Sequence, residues 1–329
     1  MNVPVQTPLL SIVIVPNTSD DAKKLGRGLA SLMSEDPAIA VKHDATSGEF
    51  VLFAAGEQHL EIIIDRLKRE FDVSAAVGRP RIAYKETVTR EADGEMKYAR
   101  QVDGRGQYGH VKLTVHPGAL GSGIVFDNAV IGGTIPARFI DAIESGIRDR
   151  LAGGILAGYA IDDVRVVVYD GSYHDLDSSP AAFRTAAAMA LEHALKRARP
   201  VLLQPMMRVE VNAPREYLAA IVGDLTARSA RVYDSEDRNG TVVFTARVPL
   251  AELFGYASAL RQQTFGRGAH TMRFDGYEPF DPPEGDGGDR DSLVGAPLNR
   301  PPTRNASSIA LPEPIDDDDL DSDNPIARG

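Results

Sequence analysis

The chain has 329 residues, 43% of them hydrophobic, enough for two or three domains that each bury a core. It contains no cysteine, which excludes disulfides, cysteine-ligated zinc and thiol catalysis together and points to the cytoplasm as the expected compartment. The first six residues lack the charged-then-apolar order of a signal peptide, and no run of about 18 apolar residues could span a bilayer, so no membrane partner is expected.

The net charge of -11 is unevenly divided. Residues 283–329 hold eleven acids against four arginines, so this acidic tail carries -7 and leaves -4 for the body. A mildly acidic body lacks the basic stripe that marks most nucleic-acid binders, and any such contact must rest on local residues. The tail has too little apolar surface to offset ordering and is expected to be disordered, as a solvated extension or as a mimic that competes with RNA for a basic partner.

In chain order, residues 9–15 form an apolar β-type run closed by Pro16. Thr18 or Ser19 then caps a helix in which Ala22, Leu25, Leu29 and Leu32 recur at three- and four-residue steps. Residues 39–43 and 49–54 flank a turn-rich 45–48 and read as a hairpin. A helix over 57–70 and a strand over 73–77 complete β-α-β-β-α-β, the split βαβ order of ferredoxin-like domains. The same order returns late in the chain. A strand over 206–211 is followed by a helix opened by Pro214, a hairpin joins 231–235 to 241–248 through Arg238, Asn239 and Gly240, a helix covers 250–263, and a strand covers 270–274. The two units share the pattern without an alignable sequence repeat.

Between them, strands are predicted over 82–89, 96–102, 111–115 and 124–130, with a helix over 136–152, a strand through Val164, Val166 and Val168, and an alanine-rich helix over 180–198. Two loops in this middle part gather the chemically suggestive residues. The first is Gly104, Arg105, Gly106, Gln107, Tyr108, Gly109 and His110, joining two strands. The second is residues 170–179, with Ser172, Tyr173, His174, Asp175 and Asp177, joining a strand to a helix.

The first loop spells Gly-x-Gly-x-x-Gly, a dinucleotide fingerprint where a helix follows, but a strand follows here and no helix N-terminus is offered to a pyrophosphate. It also matches a kinase glycine-rich loop, yet no His-Arg-Asp or Asp-Phe-Gly occurs downstream. A flexible hairpin tip and a charged, aromatic RNA-contacting tip remain. In the second loop, Ser172, His174 and the aspartates invite a triad or a metal site. Triad members normally come from separate segments, and the further histidines that a transition metal prefers are not nearby. A helix cap from Asp177, Ser178 or Ser179, with Pro180 in the first turn, is the simpler reading and leaves Tyr173 and His174 unexplained. His59 and His193 read as structural. No Gly-Lys dipeptide occurs, so a P-loop cannot form.

Five segments in one order carry a more specific signal. They are Gly56-Glu57-Gln58-His59-Leu60-Glu61-Ile62, residues 104–110, residues 171–179, Pro205-Met206-Met207-Arg208-Val209-Glu210-Val211, and residues 248–256. Together they resemble the third, fourth and fifth domains of bacterial translation elongation factor G, over about residues 8–280. The resemblance implies an α+β chain. It would comprise a ferredoxin-like domain at 8–79, a ribosomal S5 domain 2-like α/β domain at 80–204, a second ferredoxin-like domain at 205–282 and the acidic tail at 283–329.

The resemblance further implies that the two loops form one tip that contacts the codon–anticodon duplex during translocation. Gln107 and His174 would lie against RNA, Arg105 would neutralise phosphate, and the glycines would let main chain approach closely. The partners implied are the ribosome with its ribosomal RNA, tRNA and mRNA, and a separate GTPase polypeptide; a monomer is expected. The family's nucleotide-binding and second domains have no counterpart in these residues. No catalytic residue, cofactor or metal site is therefore expected on the chain itself, and GTP and Mg would act only through a separate GTPase part. Gln58 stands where the family usually has an apolar residue. The alternatives are a non-hydrolysing ribosome-binding regulator, a recycling or ribosome-protection paralogue, and the product of a truncated gene.

Overall fold

The structure is a computed structural model that describes residues 9–44, 48–102, 105–238 and 240–280. The predicted disordered tail, residues 45–47 of the first hairpin turn, Gly104 and Asn239 lie outside the described residues.

The first layer is built from β1 (Leu10–Pro16), α1 (Ser19–Glu35), β2 (Ala40–Asp44), β3 (Glu49–Ala54), α2 (Glu57–Glu70) and β4 (Ala75–Val77), with strand order β2-β3-β1-β4. Thr18 caps α1. Its hydroxyl accepts from Asp21 N at 3.1 Å and donates to the Asp21 carboxylate at 2.6 Å, and that bond is the first cause of the carboxyl's lowered pKa. The apolar stripe predicted for α1 is the one that packs, with Leu25, Leu29 and Leu32 buried against Leu60, Ile63 and Leu67 of α2 and against the sheet. His59 is structural. Its Nδ1 accepts from Ala55 N at 3.4 Å and its Nε2 lies 3.0 Å from Asp36.

The predicted strand over 82–89 is two strands serving different sheets. β5 (Arg81–Ile82) pairs with β1, and β6 (Lys85–Val88) pairs with β11 (Pro200–Pro214) in the last sheet. The break falls at Ala83 and Tyr84, where Tyr84 N donates to Ile82 O at 3.0 Å and bends the chain.

The middle sheet has the order β7-β8-β10-β9, from β7 (Ala92–Val102), β8 (Arg105–Pro117), β9 (Ile124–Asn128) and β10 (Val164–Ser172); only the β9–β10 pair is parallel. Two helices, α3 (Ile140–Ala152) and α4 (Pro180–Arg197), pack against it. The alanines of α4 set a close approach as well as a propensity. Ala182, Ala186, Ala187, Ala190 and Ala194 are fully buried. A Cβ on Gly94 of β7 would fall 2.0 Å from Ala190 O, and one on Gly146 of α3 2.3 Å from Arg184 O. Strand and helix backbones therefore meet with no side chain between them.

The last layer combines β11, α5 (Leu218–Ala227), β12 (Arg231–Arg238), β13 (Thr241–Pro249), α6 (Tyr256–Gln263) and β14 (Ala269–Phe280), in the order β12-β13-β11-β14. This is the same 2-3-1-4 arrangement as the first layer, so the repeated pattern in the sequence is a repeated topology. The predicted helix over 250–263 is interrupted. Residues Leu250–Leu253 form a 3-10 turn, and Gly255, at φ 71°, redirects the chain into α6. That left-handed glycine also donates its N–H to the Glu57 carboxylate at 3.0 Å, joining the last layer to the start of α2 beside a cleft of about 330 Å³.

Glu86 connects the layers. It is fully buried, and its carboxylate accepts from the N–H groups of Ile155 (2.6 Å), Leu156 (2.9 Å), Ala157 (2.9 Å) and Tyr159 (3.1 Å). Each buried donor left unpaired costs about 1–3 kcal/mol, and Glu86→Gln turns one acceptor atom into a donor facing two of these groups. Urea unfolding of this variant is expected to show a loss of about 3 kcal/mol; an unchanged midpoint would mean that the cradle does not hold the fold.

Candidate functional site

The two loops singled out in the sequence meet at one end of the middle sheet. The first is not a loop for most of its length: β7 and β8 pair without interruption from Ala92↔Val115 to Val102↔Arg105, so Gly106, Gln107, Tyr108, Gly109 and His110 are strand residues. Gly104 lies outside the described residues, and of Arg105 the backbone alone is described. The second segment begins on β10, where Ser172 pairs with His110, and ends at Ser179, whose side chain accepts from Ala182 N at 3.2 Å and caps α4 with Pro180 in the first turn. The helix-cap reading therefore holds for Ser179.

Main-chain bonds lace the two segments together. Tyr108 N donates to Asp177 O at 2.8 Å, and the Ser178 hydroxyl donates to Tyr108 O at 3.0 Å. The same hydroxyl accepts from His174 N at 2.9 Å, while Ser178 N donates to His174 O at 3.0 Å, closing residues 174–178 into a compact turn. Two glycines make this contact possible. A Cβ on Gly106 would lie 2.4 Å from the Asp177 carboxylate, and one on Gly109 would lie 2.9 Å from the Ala182 carbonyl at the start of α4. Both glycines thus let protein meet protein, whereas the sequence suggested a close approach to RNA.

Inside the tip, Tyr108 OH and the Ser172 hydroxyl are 2.6 Å apart, His110 Nδ1 is 2.9 Å from the same hydroxyl, and His110 Nε2 is 2.8 Å from Glu95. The Ser-His-Glu connectivity imitates a hydrolytic triad but works as a strut. The Ser172 hydroxyl is held by two partners, Tyr108 and His110. Among the described residues no group of three His, Asp or Glu could hold a metal ion.

The outward surface is made by other residues. Tyr173, His174, Asp175 and Leu176 are exposed, with the Leu176 side chain almost fully in solvent. His174 lies 3.2 Å from Asp177 and its ring centroid is 6.4 Å from that of Tyr108, so the imidazole is oriented while 55% of its side chain remains accessible. Sequence reading missed the cations of β7. Lys97 is exposed beside His110 in the register, and Arg100, opposite Gln107, lies over the Tyr98 ring at 5.9 Å. The strand alternation was the available signal, since Met96 and Tyr98 pack inward and leave Lys97 outside.

Comparison with known proteins agrees with this architecture. The sequence model for elongation factor G domain III matches residues 5–79, that for elongation factor G domain IV matches 80–199, and that for the elongation factor G C-terminus matches 201–286. A protein of known crystal structure from Thermus thermophilus superimposes with a TM-score of 0.69 at 36% sequence identity, over 85% of this chain. The chain spans 42% of the length of that protein. On three consecutive domain matches and the fold they predict, the chain belongs to the elongation factor G family, through that family's third, fourth and C-terminal domains.

Proposed function

We propose that this chain forms the ribosome-facing part of a cytoplasmic translocation factor. Its middle-domain tip enters the decoding centre and contacts tRNA and mRNA as they advance, and GTP is hydrolysed by a GTPase part, on a parent protein or on a separate polypeptide. One observation carries the reading. The two segments are fused by main-chain hydrogen bonds into a single rigid end that presents Tyr173, His174 and Asp175 outward. A tip held in this way can bear against a duplex without collapsing, because its shape does not depend on long exposed side chains.

The chemistry fits RNA. Planar rings at Tyr173 and His174 can stack on unpaired bases or sit against ribose, and the Gln107 amide can bond 2′-hydroxyls in a wide minor groove. Lys97 and Arg100 place positive charge beside them on a body that is acidic overall, which gives phosphate a local attraction at the tip. The contacts are mechanical, since the one serine of the network is already bonded to Tyr108 and His110.

Sedimentation with 70S ribosomes tests the binding half of the reading. The chain is expected to pellet with them at low salt and to be released as salt rises. Failure to pellet, with or without a supplied GTPase part, would remove any ribosomal role; pelleting without faster translocation would favour a non-hydrolysing regulator.

His174→Ala is expected to slow translocation about tenfold in a system reconstituted with the GTPase part, the effect of losing about 1.4 kcal/mol of contact in the rate-limiting state. Ribosome affinity should stay within about twofold, because phosphate contacts dominate it. Equal translocation rates would take His174 out of the mechanism. Gly109→Ala tests the lacing. Its methyl group would press on the α4 backbone, with an expected loss of about 1–3 kcal/mol in stability and slower translocation at unchanged outward chemistry.

A further inference from the structure

The turn that follows α6 holds an aromatic residue in a conformation that aromatic residues avoid. Phe265 has a left-handed backbone, φ 50°, and Gly266 repeats it at φ 77°. Glycine enters this region freely, whereas a bulky side chain there brings its Cβ against the carbonyl oxygen that follows. The other non-glycine residues with positive φ among the described residues are Asp72, Asp163, Arg199 and Ser229, so Phe265 is the one apolar member of the set. It is also 82% exposed, and the ring gains little burial to offset the strain.

The turn around it is fixed without using the ring. Thr264 is fully buried; its hydroxyl donates to Leu260 O at 2.7 Å and accepts from Gly268 N at 2.9 Å. Gly266 N donates to Arg261 O at 2.7 Å, and Arg267 N donates to Thr264 O at 3.0 Å. The chain therefore enters and leaves position 265 at set points, and the phenyl ring is held out from them.

The residues beside the ring suit one kind of partner. The Phe265 ring centroid lies 6.3 Å from that of Tyr217, at a tilt of 51°. The Arg267 guanidinium lies over the Tyr217 ring at 5.6 Å and is itself paired with Glu216 at 2.6 Å. Arg261, one helical turn before Phe265, is exposed. Unpaired bases stack on aromatic rings and arginine planes, and arginines next to such a ring can meet the phosphates that flank the base. Strained backbone of this kind collects at ligand contacts, where the position of the side chain outweighs its cost.

The place is distinct from the tip. β11 follows α4 at Pro200 and ends at Pro214, and Ala269, the first residue of β14, lies opposite Asn212. Phe265 thus stands at the end of the last sheet that points away from the joint with the middle domain.

We propose that Phe265 is a stacking platform for an unpaired base of ribosomal RNA, with Tyr217 as its footing and Arg261 and Arg267 beside it for the phosphate backbone. The inference rests on the ribosomal reading given above and adds to it a second point of attachment, on the last domain.

Phe265→Asn separates this role from a structural one, because asparagine lacks the ring and tolerates the left-handed backbone better than phenylalanine does. In the full chain it should raise the urea midpoint and, in pelleting with 70S ribosomes at low salt, weaken binding about tenfold, as the loss of one stacked base would give. Phe265→Trp should keep the affinity within about twofold of the native chain. A native chain that pellets no better than Phe265→Asn removes the platform and leaves the ribosomal reading standing; a native chain that does not pellet removes both. A lowered midpoint in Phe265→Asn would make the ring a structural element and overturn the proposal. With Phe265 replaced by p-benzoylphenylalanine, irradiation of the ribosome complex should label RNA. Label confined to ribosomal protein would overturn base stacking at this position.

Discussion

The carboxylate of Glu86 is the constraint on which the rest of the arrangement depends. A buried carboxylate that forms no ion pair among the described residues must be compensated by dipoles, and four N–H groups from residues 155–159 supply them. The same short stretch of chain is engaged on every side. Ala83 N donates to Leu9 O of the first layer at 2.9 Å, Lys85 to Val88 pair with β11 of the last, and Glu86 N donates to Ala160 O of the middle one at 2.9 Å. Around it Tyr84 stacks on Phe280 at 5.2 Å and meets Tyr159 at 5.4 Å, while Tyr277 OH donates to Ala83 O at 2.9 Å. The burial that surrounds this knot pushes the Tyr159 hydroxyl up to about 12 and raises that of Tyr277 as well, so both remain neutral at physiological pH. A segment of eight residues, Arg81 to Val88, thereby gives three sheets a common anchor.

From that anchor the tip is reached by regular structure alone. β8 runs thirteen residues and α4 eighteen, and each ends at the tip, where Gly109 lets the strand lie directly on the first turn of the helix. Contacts between backbones leave little room for rotamer adjustment, because neither partner has a side chain to move. The polar strut of Glu95, His110, Ser172 and Tyr108 then closes the sheet beneath the exposed residues. Histidines divide accordingly: His110 is spent inside the network, and His174 is steadied by Asp177 yet left open to a partner.

Much of this was legible in the sequence, and the exceptions have physical causes. Periodicity located α1, α2 and both split βαβ units because their buried faces follow single regular stripes, as Leu25, Leu29 and Leu32 show. It failed over 82–89, where one apolar alternation serves two sheets and the bend at Tyr84 is made by a local hydrogen bond that leaves no compositional mark. It failed at Gly255 because a lone glycine in a helical pattern reads as a weak residue, when here the left-handed turn places its N–H on Glu57 from a distant layer. The site was legible as residue types. Tyr108, His110 and Ser172 were found but read as outward chemistry, since sequence spacing cannot tell a hydroxyl that faces solvent from one that bonds to a neighbouring strand.

The placement of glycine in the tip sharpens what the signature Gly-x-Gly-x-x-Gly means in this chain. In a nucleotide site such glycines clear space for phosphate, and the flanking helix supplies the N–H groups. Here the same spacing clears space for Asp177 at Gly106 and for the α4 backbone at Gly109. The register explains the spacing. Positions 106 and 109 point to opposite faces of one strand, so one glycine admits the neighbouring loop and the other admits the helix behind the sheet. A side chain at either position would separate the two segments, and Tyr173 and His174 would lose the footing that holds them outward.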